Sequence, residues 1–371
     1  MKVALVHDGL FCRGGGEKVL LLFQEAFPEA EIFTSIYDPN GTYDELKDSI
    51  IHTTWFNRIA KNEEEYKRRF FPLAIIAMRQ LDLSDYDVVL MATTHCSKYV
   101  KFSKDASVFA YTFTPFRLAW NPESYSLYSD SKGLIKLALR MVVGLLKRID
   151  RYYSKQIPNF IAMTEETKTR LEKAYHPKQA IPIVNPPINV SDYYVSEGSG
   201  DYYLVVSRLE KYKMVDLVVK AFNGNDRKLI VVGSGVEKER LMEMASDNVE
   251  FRQGVPYDEL AQLYSDARGL IFPQHEDYGL TPLEAAASGC PVIGYGRGGI
   301  LDTMVPFNGS NERESTALLF QDQTKSSLLE ALDRFENLNF NKSFIRRHAE
   351  KFHKDKFIKQ IQTLVLGELE G

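Results

Sequence analysis

The chain has 371 residues, room for about two domains at roughly 150 residues each. Its 46 Lys and Arg against 50 Asp and Glu leave a formal charge of −4, so there is no global electrostatic case for nucleic acid and any bound phosphate must be held locally. With 44% hydrophobic and 26% charged residues the mix is that of an ordinary globular protein, which excludes disorder and low-complexity repeats. Three scattered cysteines, Cys12, Cys96 and Cys290, offer neither a disulfide framework nor a Cys-x-x-Cys pair and fit a reducing cytosol. Met1 to Asp8 holds only a short apolar run, so no export signal is expected. The most apolar stretch, Leu134 to Leu146, is interrupted by Lys136 and Arg140 and falls short of the roughly 20 residues that span a bilayer. The expectation is a cytoplasmic protein, soluble or peripheral on the inner face of a membrane.

Short apolar runs alternate with helical patterns and stop at Gly, Ser, Thr or Pro, the sign of βαβ units. In the first half the predicted strands are Val3 to Val6, Val88 to Ala92, Val108 to Thr112, Phe160 to Met163 and Ile181 to Val184. The polar stretch after Asn185-Pro186-Pro187-Ile188, Ser196-Glu197-Gly198-Ser199-Gly200-Asp201, carries linker chemistry and places a boundary near residues 188 to 200. A second series follows: Tyr203 to Val206, Leu229 to Val232, Val249 to Arg252, Leu270 to Phe272, Val292 to Tyr295 and Leu318 to Phe320. Near-continuous hydrophobicity implies buried parallel sheets. The fold class is therefore α/β, two doubly wound Rossmann-like domains over about 1–190 and 200–350. Ligands of such sheets sit beyond the carboxyl ends of the strands, where helix N-termini favour anions.

Two constellations follow strands in the second half. Pro273 to Glu284 leaves the strand ending at Phe272 and enters a helix, bringing Glu276, Asp277 and Glu284 to one loop and helix start. Acids at a carboxyl strand end suggest sugar hydroxyls as partners. Thr281-x-x-Glu284 with Pro282 at the first helical position also reads as a capping box, which would make Glu284 structural. Ser207 to Lys213 follows Val206, and a guanidinium fork at Arg208 with an ammonium at Lys213 suits a diphosphate, although a solvated loop paired by Glu210 fits the same letters. Gly233-Ser234-Gly235, Gly254-Val255 and Gly296-Arg297-Gly298-Gly299 add strand-end loops where backbone can approach a ligand.

On these residues, and on the run Glu284 to Ile293, the chain resembles glycosyltransferase family 4, the retaining enzymes of the two-Rossmann (GT-B) fold with an interdomain cleft. The first half agrees in Gly14-Gly15-Gly16, in Thr93-Thr94-His95 and in Tyr111 to Trp120, which is similar to a loop of bacterial polysaccharide mannosyltransferases. Phe113 and Met214 depart from that branch, which more often has histidine at the first position and glycine or arginine at the second. The resemblance implies that Arg208 and Lys213 hold the donor diphosphate, that Glu284 takes the ribose and that Glu276 meets the donor sugar near the reacting carbon. Backbone N–H groups around Tyr278, Gly279, Leu280 and Thr281 would receive a phosphate, Gly235 and Val255 would line the donor, and Gly15 and Gly16 would let the first domain approach it. His95 would sit by the sugar; as a lone histidine it also fits a satisfied structural hydrogen bonder. Arg117 falls to the acceptor, and a C-terminal helix at about 354–371 would pack back on the first domain.

The function so implied is transfer of a hexosyl group, mannosyl favoured, from a nucleotide diphosphate sugar, GDP-mannose favoured, to a lipid-linked or oligosaccharide acceptor in bacterial surface polysaccharide assembly, with no cofactor and no metal. An NAD-linked oxidoreductase is disfavoured because Val19 stands where the glycine pattern would end. Asp85-Tyr86-Asp87 supplies the letters of a metal site but precedes a strand and reads as a turn. A sugar-nucleotide epimerase of the same fold and a non-catalytic sugar-nucleotide-binding protein remain as alternatives. Basic residues among leucines, Lys67-Arg68-Arg69 and then Lys132 to Lys155 with Arg140, Lys147 and Arg148, suit an anionic membrane surface as well as they suit a solvated helix.

Overall fold

The computed structural model describes residues 1–60, 73–198 and 200–367. The chain divides into two compact units, Met1–Pro186 with Asp355–Gly371, and Pro187–Lys354. The Lys67 to Arg69 cluster lies outside the described residues, as do residues 368–371 of the expected C-terminal helix.

In the first unit β1 (Val3–His7), β2 (Glu31–Thr34), β3 (Ile51–Thr53), β5 (Val88–Thr93), β7 (Ser107–Thr112) and β8 (Asn159–Ala162) build a parallel sheet in the order β3-β2-β1-β5-β7-β8. A small separate pair joins β4 (Asp82–Leu83) to β6 (Lys101–Phe102). In the second unit β9 (Tyr202–Val206), β10 (Lys228–Val232), β11 (Val249–Arg252), β12 (Gly269–Phe272), β13 (Val292–Tyr295) and β14 (Ala317–Phe320) run in the order β11-β10-β9-β12-β13-β14. Counted within its own sheet, each follows the doubly wound order 3-2-1-4-5-6, whose direction of winding reverses between the first strand and the fourth. Both units are thus Rossmann-like.

The central strands form from continuous apolar runs because helices cover both faces: all five residues of β1 and all six of β5 are buried. β2 and β3 escape that signal. They read Glu-Ile-Phe-Thr and Ile-His-Thr, and β3, at the sheet edge, is only partly covered, so polar residues are tolerated there. Ile181 to Val184 corrects the expectation in the other direction. It makes a single bridge, Ile183 beside Ala162, flanked by Ala162 N–H donating to Pro182 C=O and Val184 N–H donating to Ala162 C=O. Pro182 has no N–H with which to extend a ladder.

The helix Lys354–Gly367 returns to the first unit. Phe357, Ile361 and Val365 recur every four residues and are buried; Phe357 stacks on Phe23 and meets Tyr111 edge-on, and Gln362 Nε2 donates to the Ala26 carbonyl at 2.9 Å. Asp85 to Asp87 is a turn at the amino end of β5, where Asp87 accepts from the Lys2 amide and pairs with the chain's amino terminus.

Candidate active site

In the second unit the loops after β9, β10, β12 and β13 lock onto one another. Leu209 N–H donates to Ser234 C=O at 2.8 Å, and a Cβ on Gly233 would lie 1.9 Å from the Ser207 carbonyl oxygen, one on Gly235 2.3 Å from that of Leu209. The neighbouring loop alone therefore requires glycine at both positions. The same holds across the next pair of strand ends. Gly299 N–H donates to Glu276 C=O at 2.8 Å, and a Cβ on Gly298, which sits at φ 76°, would come within 2.3 Å of that oxygen. Glu276 is thereby placed by backbone.

Its side chain meets Lys213. Lys213 Nζ donates to Glu276 Oε1, and the two side chains keep 12% and 24% of their surface, so the pair joins the β9 loop to the β12 loop at the sheet's carboxyl edge while open to a ligand. Arg208 is exposed, its guanidinium donating to the Tyr212 hydroxyl at 2.8 Å. Lys213 precedes Met214, which caps the helix Val215–Phe222 in the left-handed region at φ 56°. A glycine would enter that conformation without steric penalty, a physical account of this departure from the branch pattern.

The helix Leu280–Ala287 starts two residues earlier than a Thr281 cap would allow. Gly279 is the cap at φ 86°, with no side-chain cap, and Pro282 lies inside the first turn, so the capping-box reading of Thr281 and Glu284 does not hold. Tyr278 is buried, while Gly279, Leu280 and Thr281 are half-buried, with the N–H groups of this helix start adjoining Glu276 in the chain. Glu284 Oε2 instead accepts from the Tyr264 hydroxyl at 2.7 Å. Burial, and then the Glu284 charge, hold the fully buried Tyr264 phenol protonated and donating. Val255 is half-buried in the loop after β11.

In the first unit the carboxyl edge is organised by a residue that sequence reading passed over. Asp8, directly after β1, accepts from the backbone N–H of Thr94, His95, Cys96 and Ser97 and from the hydroxyls of Thr93, Thr94 and Ser97, at 2.7 to 3.0 Å. Burial alone would raise its pKa, but the His7 and His95 imidazoles and these donors outweigh that and hold it well below the usual carboxylate range. Its position immediately beyond a strand was the available signal. His95, presented by this loop, lies over the Phe116 ring with centroids 4.0 Å apart and edge-on to Tyr99. Burial, against the pull of Asp8, lowers its pKa to about 4, so at neutral pH it is an uncharged imidazole suited to a hydroxyl partner. Gly15 opens the helix Gly15–Ala26 with no atom near its missing Cβ, while Gly16 faces His7 Nε2 and the Phe113 ring. Arg117 is exposed at the start of a short helix.

A second group went unforeseen. Lys98 and Asp150, both 0% exposed, pair at 2.6 Å; Tyr175 and the Trp120 indole N–H each donate to the other Asp150 oxygen at 2.8 and 2.7 Å. Lys147, expected to face outward, is half-buried 5.4 Å from the Trp120 ring centroid, whereas Arg140 and Arg148 are exposed. The four partners lie far apart in the chain and only the fold assembles them.

Residues 194–352 match the family described as "Glycosyl transferases group 1". The matched stretch lies inside the second unit, Pro187–Lys354. Among curated relatives, the alpha-1,3/1,6-mannosyltransferase ALG2 of Candida glabrata is 25% identical over 95% of this chain and 88% of its own length. The O-antigen chain mannosyltransferase RfbU of Salmonella typhimurium is 24% identical over 55% of each. Among solved structures, the sucrose-phosphate synthase of Thermosynechococcus elongatus superposes over all of both chains with TM-score 0.72 at 15% identity. The Anabaena protein HepE, crystallised with UDP, covers 99% of this chain and 100% of its own with TM-score 0.69 at 12% identity. The fold is therefore GT-B, and the Arg208, Lys213, Glu276 and Glu284 cluster falls inside the matched domain.

Proposed function

We propose that the protein is a retaining, metal-independent hexosyltransferase of the family 4 type, working in the cytoplasm and moving a mannosyl group from GDP-mannose to a lipid-linked or oligosaccharide acceptor in bacterial surface polysaccharide assembly. The observation that carries it is the Lys213–Glu276 pair beside Arg208 and the start of the helix Leu280–Ala287: cations, a carboxylate and a helix N-terminus without a side-chain cap on one strand edge. As the glycosidic bond breaks, charge develops on the leaving diphosphate. Arg208, Lys213 and the N–H groups near Gly279 stabilise that charge in place, the electrostatic role that otherwise falls to a cation. Glu276 then turns from Lys213 toward the donor sugar, Glu284, oriented by Tyr264, accepts from ribose hydroxyls, the backbone N–H groups from Tyr278 to Thr281 receive a phosphate, and Val255 lines the donor. In the first unit, the roles of Gly15, Gly16 and neutral His95 toward the sugar and of Arg117 toward the acceptor rest on the family resemblance. The mannosyltransferase names of ALG2 and RfbU support the sugar, and RfbU the O-antigen setting; UDP in HepE supports a nucleoside diphosphate as donor class.

Calorimetry with GDP tests the donor site. Arg208→Ala and Lys213→Ala should each weaken affinity by about 1.5 to 3 kcal/mol, the worth of a charge-assisted bond, while Glu276→Gln spares affinity and lowers turnover. Turnover of labelled GDP-mannose should survive exhaustive chelation. Unchanged affinity in both cation variants would remove the diphosphate assignment, and binding without turnover would leave the non-catalytic binding protein as the reading.

A further inference from the structure

The helix Gly133–Ser154 is inverted relative to an ordinary surface helix. Such a helix turns its apolar stripe inward and its polar face out. Here the fully buried side, Val143, Asp150 and Ser154, includes a carboxylate held by Lys98, Tyr175 and Trp120, so a polar pin anchors the inward face. The apolar stripe looks outward instead: Leu134 is 84% exposed, Met141 66% and Leu145 57%, two turns and then one turn apart on one helix face, with Ile135, Leu137 and Val142 exposed beside them. Leu127, just upstream, is 73% exposed.

Charge says what covers this face. From Lys132 to Lys155 the sequence carries a single acid, Asp150, and that one is buried and paired, whereas Lys132, Arg140 and Arg148 are exposed. The last turn continues the pattern. Arg151 and Lys155 wall a hollow of about 1260 Å³ at the amino ends of β7 and β8, whose other lysines, Lys104 and Lys178, are also cations and which has no acid among its described lining residues. A leaflet of anionic lipid offers phosphates beside acyl chain, the arrangement that an outward apolar stripe flanked by cations fits.

We propose that the helix Gly133–Ser154 lies in the interface of an anionic bilayer, with Leu134, Met141 and Leu145 inserted among the acyl chains and Arg140 and Arg148 on lipid phosphates. The inference is independent of the donor site and stands or falls without it. It is tested by flotation of the full chain with vesicles of phosphatidylcholine containing about a third phosphatidylglycerol, and with pure phosphatidylcholine. The parent protein floats with the anionic vesicles at low salt, and not with the neutral ones. Leu134→Gln with Met141→Gln abolishes flotation while the thermal midpoint stays, since both side chains are solvent-exposed. Arg140→Gln and Arg148→Gln each weaken partition about fivefold, the effect of one surface cation, and less at high salt. Absence of parent flotation overturns the proposal, as does flotation unchanged in the Leu134 and Met141 variant. A parent that stays with the buffer as a dimer, made monomeric by the same variant, would assign the face to a second copy instead and equally overturn it.

Discussion

Lys98 and Lys213 each meet a carboxylate, one in each unit, and the two pairs sit in different surroundings. The Lys98–Asp150 pair is 0% exposed, and both Asp150 oxygens are engaged, by Lys98 on one side and by Tyr175 and Trp120 on the other. The Lys213–Glu276 pair is half-open at a strand edge and rests on loops held by backbone. A dry, saturated ion pair fixes geometry and gives no ligand access, because exchanging a partner would leave a charge unsolvated. A half-open pair of the same residue types can trade its partner for a phosphate or a sugar hydroxyl. What separates pin from site is solvent access.

Removing one partner from each pair sharpens this most. Asp150→Ala strands a buried ammonium and should destabilise the first unit by about 3 to 5 kcal/mol, read from urea unfolding. Glu276→Ala should destabilise the second unit by less than that, since its pair keeps some solvent exposure where the Lys98–Asp150 pair keeps none. Equal losses would abolish the distinction.

The next effect is a pH dependence carried in the first unit by His95; the buried His348 of the second unit, its pKa also lowered by burial, acts in the same direction. His95 is held to about 4 in the fold, against 6.5 in the unfolded chain, so the native state binds fewer protons between those values. Its contribution is complete above pH 6.5 and is lost as pH falls from 6.5 toward 4. Asp8, also depressed, contributes above its unfolded value near 3.8 and is lost only below it. Urea midpoints at pH 7.5, 5.5 and 4.5 should fall in the parent and fall less in His95→Phe. An imidazole found by NMR to titrate near 6.5 in the folded protein would contradict the burial argument.

The smallest effect compares backbone. Among the described residues, His176 in the first unit and Met214 in the second are the non-glycine residues at positive φ, 50° and 56°. Met214→Gly should stabilise by about 0.5 to 1 kcal/mol, the relief of left-handed strain less the entropy that glycine adds to the unfolded chain. A destabilised variant, by thermal unfolding, would mean that the Met214 side chain, packed against the second core, matters more than its φ.

The central strands were legible because burial on both faces requires continuous apolar runs, as in Val88 to Ala92 and Leu229 to Val232. β2 and β3 were not, since Glu31, His52 and Thr53 break the run where an edge tolerates polar groups. Arg208 and Glu276 could be singled out because each follows a strand end within a few residues, and Lys213 and Glu284 because each lies on the loop or helix that continues from that end. Asp8 satisfied the same rule and was overlooked; its seven donors come from a loop some 85 to 89 residues away. The capping box failed for a local reason, because Gly279 starts the helix two residues before Thr281.

By itself the sequence determined what depends on neighbours along the chain: two α/β sheets, the βα order, and the charged residues that leave each strand. The tertiary structure alone decided which of those charges are sealed and which stay open. Asp150 and Glu276 are both plain acids on paper, but only folding puts Lys98, Tyr175 and Trp120 on the first and leaves the second partly exposed beside Lys213. The same is true of the helix Gly133–Ser154, whose apolar face points outward because Asp150 pins the opposite side, and such pairings across 25 to 77 residues carry no local periodicity from which to be read.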